Sequence, residues 1–109
     1  MKQGKVFYKE HLAGIITETL EGDYIFKYDK DYLKNHPQDF LTFTMPVREE
    51  EYRDKRLFPF FEGLIPEGWL LDIATKNWKI NSNDRMSLLL ACCSNCIGAV
   101  SVKPIIEEE

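Results

Sequence analysis

The chain has 109 residues, of which 44% are hydrophobic and 29% are charged, as expected for one small globular domain. No apolar run approaches the roughly 20 residues of a membrane-spanning helix, and the N-terminus lacks a signal-peptide core, so we predict a cytoplasmic protein. The net charge is −4, and the sequence has no Lys/Arg cluster that would neutralise phosphates, which argues against direct binding of nucleic acid.

The first half of the chain has the two-residue periodicity of β-strands. Residues 5–8 and 11–19 are predicted to form a hairpin, in which Gly14 marks a bend or a bulge. Residues 24–28 and 41–45 also alternate between apolar and polar side chains, so each is predicted to form a strand.

The segments next to these strands are more polar. Residues 29–36 are predicted to contact the core through Tyr32 and Leu33. Residues 48–56, of sequence REEEYRDKR, carry charges of both signs and are predicted to form a solvated surface loop.

The segment LFPFFEGLI at residues 57–65 is the densest apolar stretch of the chain. Pro59 and Pro66 argue against a plain strand or one long helix, because proline lacks the N–H that either would need. We therefore predict a short helical turn from Pro59 that ends near Gly63. A second helix over residues 66–79 would begin with a proline at its first position. Four residues of this stretch are expected in the core: Phe60, Phe61, Leu64 and Ile65.

The C-terminal part is predicted to contain one helix and one strand. Residues 81–84 offer helix caps, residues 86–93 are apolar enough for a buried helix, and residues 97–102 return as a strand. The fold class is therefore α+β, an antiparallel β-sheet packed against a cluster of short helices in a single small domain. This domain is predicted to span residues 1–104, and residues 105–109 form an acidic C-terminal tail.

The three cysteines, Cys92, Cys93 and Cys96, are close together in the sequence. An odd, clustered set is a poor disulfide framework and indicates a reducing compartment. The C-x-x-C pair follows an apolar helix, whereas a redox motif would open one. His11 and His36 are distant in sequence and expected to be unpaired, so a four-ligand zinc site is not predicted. We expect buried structural thiols and a reduced monomer without zinc, with metal or redox use as the alternative.

No catalytic motif is visible in the sequence. It contains no phosphate-binding loop, no protein-kinase catalytic loop and no serine-hydrolase elbow, so we predict a protein that is not an enzyme and holds no cofactor. Glu62 and Glu67 flank the apolar stretch, and two carboxylates of this kind could form an acid–base pair. A helix-surface charge and a partner of the helix dipole explain them better. An unrecognised small enzyme is the alternative.

The sequence resembles a known family in several motifs that occur in the same order. FPFFEGLIPEG at residues 58–68 resembles the FFENLLPEG motif in the N-terminal subdomain of HipA-type serine/threonine kinases, with Gly63 in place of the asparagine. The bend at Gly14 and the segments DYIFKYDKDYL, LTFTMPV and CIGAVSVKP resemble further motifs of that subdomain. Ser94 and Asn95 stand where the family often has Gly-Asp. These two departures from the family pattern affect the predicted loops and not the resemblance as a whole.

The resemblance implies an accessory module without the kinase machinery, because the catalytic residues of HipA-type kinases lie in later parts of the chain. Free-standing copies resemble HipS, which implies an antitoxin of a HipBST-type toxin–antitoxin system that binds and neutralises a HipT-like serine/threonine kinase. The alternative is a non-inhibitory interaction module, an accessory subdomain of a HipA-type kinase that could bridge to a HipB-like DNA-binding repressor. Whether the chain is free-standing or a fragment of a longer kinase stays open.

The predicted helix over residues 66–79 suggests where a partner would bind. At about 100° per residue, Trp69 and Ile73 lie away from the core-facing stripe. Tryptophan is enriched in interface hot spots, so we predict that Trp69, with Glu67, Gly68 and Ile73, contacts the kinase. The alternative is that Trp69 packs against residues 48–56 or under the sheet. The core-facing stripe comprises Leu70, Leu71, Ala74 and Trp78.

We predict that the isolated protein does not bind ATP. The reason is that the sequence lacks a phosphate-binding loop and metal-binding acidic residues. Isothermal titration calorimetry with Mg-ATP should give no heat of binding, and a micromolar affinity would contradict the prediction.

Overall fold

The computed structural model describes residues 2–65, 84–92 and 99–105, together with Lys76 and Lys79. Its centre is an antiparallel sheet of five strands: β1 (Lys2–Tyr8), β2 (His11–Glu18), β3 (Tyr24–Tyr28), β4 (Tyr52–Asp54) and β5 (Val100–Pro104). The spatial order is β4-β3-β2-β1-β5. The described helices are α1 (Lys30–Asn35), α2 (Pro59–Glu62) and α3 (Arg85–Cys92). The predicted α+β class, with an antiparallel sheet and short helices, is confirmed.

The predicted N-terminal hairpin is present, with its irregularity beside Gly14. Val6 pairs with Gly14 and Phe7 pairs with Leu12, so Ala13 is an extra residue that forms a β-bulge. A Cβ at position 14 would lie 2.3 Å from the carbonyl oxygen of Lys27. Glycine is therefore required here, because β3 approaches the backbone of β2 too closely for any side chain.

One face of the sheet forms the hydrophobic core with the helices. α3 packs over β1, where a Cβ at Gly4 would lie 2.6 Å from Leu90 Cδ2. The helix α2 contributes Phe61, which is fully buried. Burial of this apolar surface is the main favourable term that holds the domain together. Other residues with 0% exposure are Val6, Ala13, Ile16, Phe26, Met86, Leu88, Leu89 and Val102.

The prediction of a strand at residues 41–45 is wrong. This segment forms a turn, in which the Met45 N–H donates to the carbonyl of Thr42 at 3.0 Å. The buried hydroxyl of Tyr28 accepts from the Leu41 N–H at 3.2 Å and donates to the carbonyl of Met45. A single side chain therefore satisfies backbone groups that a neighbouring strand would otherwise satisfy. Phe43, which the alternation placed with Leu41 and Met45, is 88% exposed.

The prediction of a simple surface loop at residues 48–56 is also incomplete. This segment contains β4, which pairs with β3 through Tyr52 opposite Phe26 and Arg53 opposite Ile25. The strand is short and charged, as is typical of strands that must not pair with other chains. The Arg48 guanidinium lies 3.8 Å from the centroid of the Tyr52 ring, which holds the loop against this edge.

The helices α2 and α3 begin and end near the predicted positions, whereas α1 was not predicted as a helix. The side chain of Asp29 caps α1 by accepting from the Asp31 and Tyr32 N–H groups, and Tyr32 is buried as predicted. The helix α2 ends at Gly63, as the sequence indicates. Of the four residues expected in the core, Phe61 and Ile65 are buried, while Phe60 and Leu64 are half-buried and pack against it.

Of the four residues predicted to offer helix caps, at positions 81–84, Asp84 caps α3. Its carboxylate accepts from the backbone N–H of Ser87 at 3.2 Å and from the Ser87 hydroxyl at 2.8 Å. It also accepts from Lys2 Nζ at 2.8 Å, which ties the start of α3 to the start of β1. Residues 81–83 lie outside the described part of the chain. In that part, no helix is long and apolar enough to cross a membrane.

We predict that Tyr28→Phe destabilises the domain by about 2 kcal/mol. The substitution leaves the buried Leu41 N–H and Met45 carbonyl without the hydroxyl, and each unsatisfied buried group costs roughly 1–3 kcal/mol. Urea unfolding measures the loss. Tyr52→Phe is the control, since its hydroxyl bonds the Pro46 carbonyl at an exposed site and its loss should cost less than about 1 kcal/mol. Equal losses for both variants would contradict the prediction.

We predict that the contribution of Asp84 to stability depends on pH. Burial opposes ionisation, but hydrogen bonds from Lys2 and Ser87 outweigh it and lower the pKa of Asp84. Because the folded pKa lies below the unfolded value of about 3.9, the contribution is present above that pH and is lost as pH falls through the folded pKa. Asp84→Asn, which keeps a capping oxygen, should therefore cost about 1 kcal/mol at neutral pH and less in acid.

The free energy of urea unfolding, measured from pH 7 downwards, tests this dependence. The control is Asp29→Asn, because Asp29 also caps a helix but forms no ion pair with a lysine among the described residues. If the loss of unfolding free energy caused by Asp84→Asn stayed constant below about pH 4, the negative charge of Asp84 would not be what stabilises the fold.

Candidate partner-binding site

The four predicted contact residues, Trp69, Glu67, Gly68 and Ile73, lie outside the described residues. Of the predicted helix at residues 66–79, the structure describes two positions. Lys76 is helical, and Lys79 has a φ of 53°, a left-handed conformation that is common where helices end. The structure does describe both ends of the chain segment that carries the predicted site.

The N-terminal end of this segment is fixed in the core by α2. The ring centroid of the fully buried Phe61 lies 5.6 Å from that of Phe26 and 5.3 Å from that of Phe60. Ile65 is 2% exposed, and its N–H donates to the carbonyl of Glu62 at 3.2 Å. Pro66 therefore follows directly on a residue that tertiary contacts hold in place.

The C-terminal end of the segment is fixed beside the same helix. Arg85 Nη2 lies 2.5 Å from Glu62 Oε1, and Asp84 is bound to Lys2. Glu62 thus joins α2 to α3 as an ion-pair partner, which fits its predicted role as a surface charge. Ile65 and Asp84 are the described residues on either side of this segment, and the ion pair between Glu62 and Arg85 brings their neighbours to one corner of the fold.

Two shallow clefts flank α2 at this corner. The first has a volume of about 460 Å³ and is lined by residues that include Tyr24, Glu62 and Arg85. The Tyr24 hydroxyl donates to the Glu18 carboxylate at 2.7 Å. The pKa of this hydroxyl is raised, mainly by burial and then by the neighbouring carboxylate. Tyr24, Glu62 and Arg85 are thus engaged in structural contacts. The second cleft, of about 330 Å³, lies on the side of Phe60.

A pair of aromatic rings, one exposed and one half-buried, lies near the second cleft and was missed in the sequence. Phe43 is 88% exposed, and its ring centroid is 5.1 Å from that of Phe40. The next residues along the chain, Thr44 and Met45, line the cleft. The predicted strand at residues 41–45 hid this pair, because it placed Phe43 on a buried face.

The prediction that His11 and His36 are unpaired is wrong. Their ring centroids lie 4.6 Å apart, and His36 Nδ1 is 3.1 Å from Asp39 Oδ2. The end of α1 folds back on the start of β2, which sequence separation does not reveal. Within the described ranges, no group of three or more His, Cys, Asp or Glu residues could hold a metal ion. Cys93 and Cys96, and the side chain of Cys92, lie outside those ranges.

Comparison with known proteins gives concordant matches over nearly the whole chain. The profile of the HipA N-terminal domain family matches residues 4–103. An uncharacterized protein of Haemophilus influenzae is 31% identical over 103 residues, which cover 94% of this chain and 92% of that protein. A solved structure of the N-terminal domain of HipA toxin is similar with a TM-score of 0.74 and 28% identity, covering 99% of this chain and 96% of the other.

The region that the family profile covers includes residues from all five strands and from every described helix. The similarity of the backbone to a HipA N-terminal domain extends over the same elements. We conclude that the chain belongs to the HipA N-terminal domain family.

Proposed function

We propose that this protein is a HipS-like antitoxin that binds and neutralises a HipT-like serine/threonine kinase. The observation that carries the proposal is the family match over residues 4–103 in a sequence without kinase catalytic motifs. The relative from H. influenzae supports it, because the match covers 92% of that protein. That relative therefore contains little beyond this domain.

The kinase would contact the segment that begins at Pro66, through Trp69 with Glu67, Gly68 and Ile73. Trp69 is four residues beyond the fixed Ile65, so its Cα lies within about 14 Å of that anchor. A tryptophan close to a rigid support loses little conformational freedom on binding, which favours a hot spot. Anchoring at both ends supports this segment as a preorganised binding element.

The protein would act by binding alone. We propose that it performs no catalysis and holds no metal or cofactor, in keeping with the lack of catalytic motifs in its sequence. The binding domain would comprise residues 1–104 and act in the cytoplasm, with residues 105–109 as an acidic tail.

A second candidate function is a non-inhibitory interaction module. One solved structure that is similar is the N-terminal domain of HipA toxin, and a domain of this kind could serve as an accessory subdomain of a kinase or a bridge to a HipB-like repressor. Genetic context separates the two functions. A neighbouring gene for a kinase without its own N-terminal subdomain favours the antitoxin, whereas a reading frame that continues into a kinase favours the module.

We predict that Trp69→Ala abolishes neutralisation of the cognate kinase and leaves the fold intact. Loss of a central aromatic hot spot should weaken binding by at least about 2 kcal/mol, or roughly 30-fold. Calorimetry with the purified kinase measures the affinity, and growth of cells that co-express both proteins measures the rescue. Thermal unfolding reports whether the variant stays folded.

The matched control is Trp78→Ala, since Trp78 is predicted to face the core. This variant should lower the melting temperature. If Trp69→Ala unfolds instead, then Trp69 is a core residue. If it stays folded and still neutralises the kinase, the contact lies elsewhere and the site assignment is wrong.

A further inference from the structure

The sheet has a second face, which we call the open face, opposite the hydrophobic core. All three described helices pack on the core side, where Leu90 of α3 meets Gly4, Phe61 of α2 meets Phe26, and Tyr32 of α1 stacks on Tyr28. Side chains alternate along a strand, so the residues between the buried ones belong to the open face. They include Lys5, Phe7, Ile15, Thr17, Ile25, Lys27, Arg53, Ser101 and Lys103.

At the described strand positions of this face every charged side chain is positive, although the chain has a net charge of −4. Lys5, Lys27, Arg53 and Lys103 are all exposed. Arg53 pairs with Asp23 and Glu51 at the margin of the sheet. The three lysines form no ion pair with any described residue. The strand positions of the open face contribute no aspartate or glutamate.

The lysines lie in one row across the sheet. Lys103 pairs with Lys5, Lys5 pairs with Ile15, and Ile15 pairs with Lys27. Two like charges directly opposite each other on neighbouring strands destabilise a sheet. A lysine at position 103 could be explained by the edge position of β5, because lysine on an edge strand discourages aggregation. That explanation fails for Lys5 and Lys27, since β1 and β3 have neighbours on both sides.

The positive charge continues from the sheet onto α1. Lys27 also lines a cleft of about 590 Å³ together with Lys30, Leu33 and Lys34, and with Glu49 at its margin. Lys30 and Lys34 are one helical turn apart and exposed. Folding thus gathers lysines that are dispersed along the sequence. We call the resulting area the lysine surface, defined by Lys5, Lys27, Lys30, Lys34 and Lys103.

We propose that the lysine surface docks an acidic segment of a partner protein. Charge complementarity supports this occupant, because none of the five ammonium groups forms an ion pair with a described residue, and each would gain a carboxylate. Ile15 and Ile25 are half-buried between the charges and offer apolar contacts to the same segment. The sheet part of this surface, formed by Lys5, Lys27 and Lys103, lies on the face of the sheet opposite α2.

Nucleic acid fits this surface less well than an acidic protein segment. Lys103 Nζ lies 5.3 Å from the centroid of the Phe7 ring, so this aromatic face is not free to stack on a base. Arginine, whose planar fork is the better match to phosphate, occurs at the described strand positions of the open face only as Arg53, which is paired with Asp23 and Glu51. The net charge of −4 also repels a long polyanion at a distance.

A synthetic peptide with the repeat Glu-Glu-Leu serves as the probe, titrated into ¹⁵N-labelled full-length protein. At low ionic strength, the peptide should change the NMR chemical shifts of the backbone amides of the lysine surface. High ionic strength should weaken this binding. Lys103→Glu should reduce the affinity by at least ~5-fold. The same substitution replaces a like-charge pair by a cross-strand ion pair, so the melting temperature should rise by about 2–5 °C. A more stable but weaker-binding variant separates binding from folding.

The matched control is Lys55→Glu, which makes the same change of charge in a different cleft, beside α2. It should alter the affinity less than ~2-fold, since its charge is remote from the peptide. Lys27→Gln is a second test variant and should also weaken binding. The proposal is overturned if the peptide does not bind, if its shifts map elsewhere, or if Lys103→Glu and Lys55→Glu behave alike. Tighter binding of oligo-dT at the same residues would identify a nucleic-acid surface instead.

Discussion

The packing of Phe61 against Phe26 is the contact on which the rest of this structure depends. The helix α2 has only four residues, too few to be stable without tertiary contacts. Its order comes from the fully buried Phe61, whose ring meets β3 of the sheet. Because α2 is fixed, the chain reaches Ile65 in a defined position, and Glu62 can meet Arg85 at the start of α3.

Local patterns predicted the elements whose partners are close in sequence. The hairpin, the strand Tyr24–Tyr28, the short helix α2 and the cap at Asp84 all follow from periodicity, proline and glycine positions, or capping side chains. The segment at residues 41–45 failed because its backbone bonds go to the hydroxyl of Tyr28. Propensity favours a strand there, and a single distant side chain decides against it.

Part of the candidate site was also predictable from local patterns. The apolar residues that anchor its N-terminal end, Phe61 and Ile65, were expected in the core and are buried. The ion pair between Glu62 and Arg85 joins residues from separate helices, so no local pattern could indicate it. The same holds for the contact of His11 with His36 and for the lysine surface, since each arises from strand pairing or helix packing. The role of Trp69 stays a prediction.

The two proposed surfaces both follow from the two-layer arrangement of this small fold. In the part of the chain that the structure describes, the helices pack on one side of the five-stranded sheet, and the other side is an outer face. The segment between Ile65 and Asp84 is held at both ends, and we propose that it presents Trp69 to the kinase. On the open face, Lys5 opposite Lys103 costs folding free energy, and a negatively charged partner would relieve that repulsion while keeping both lysines.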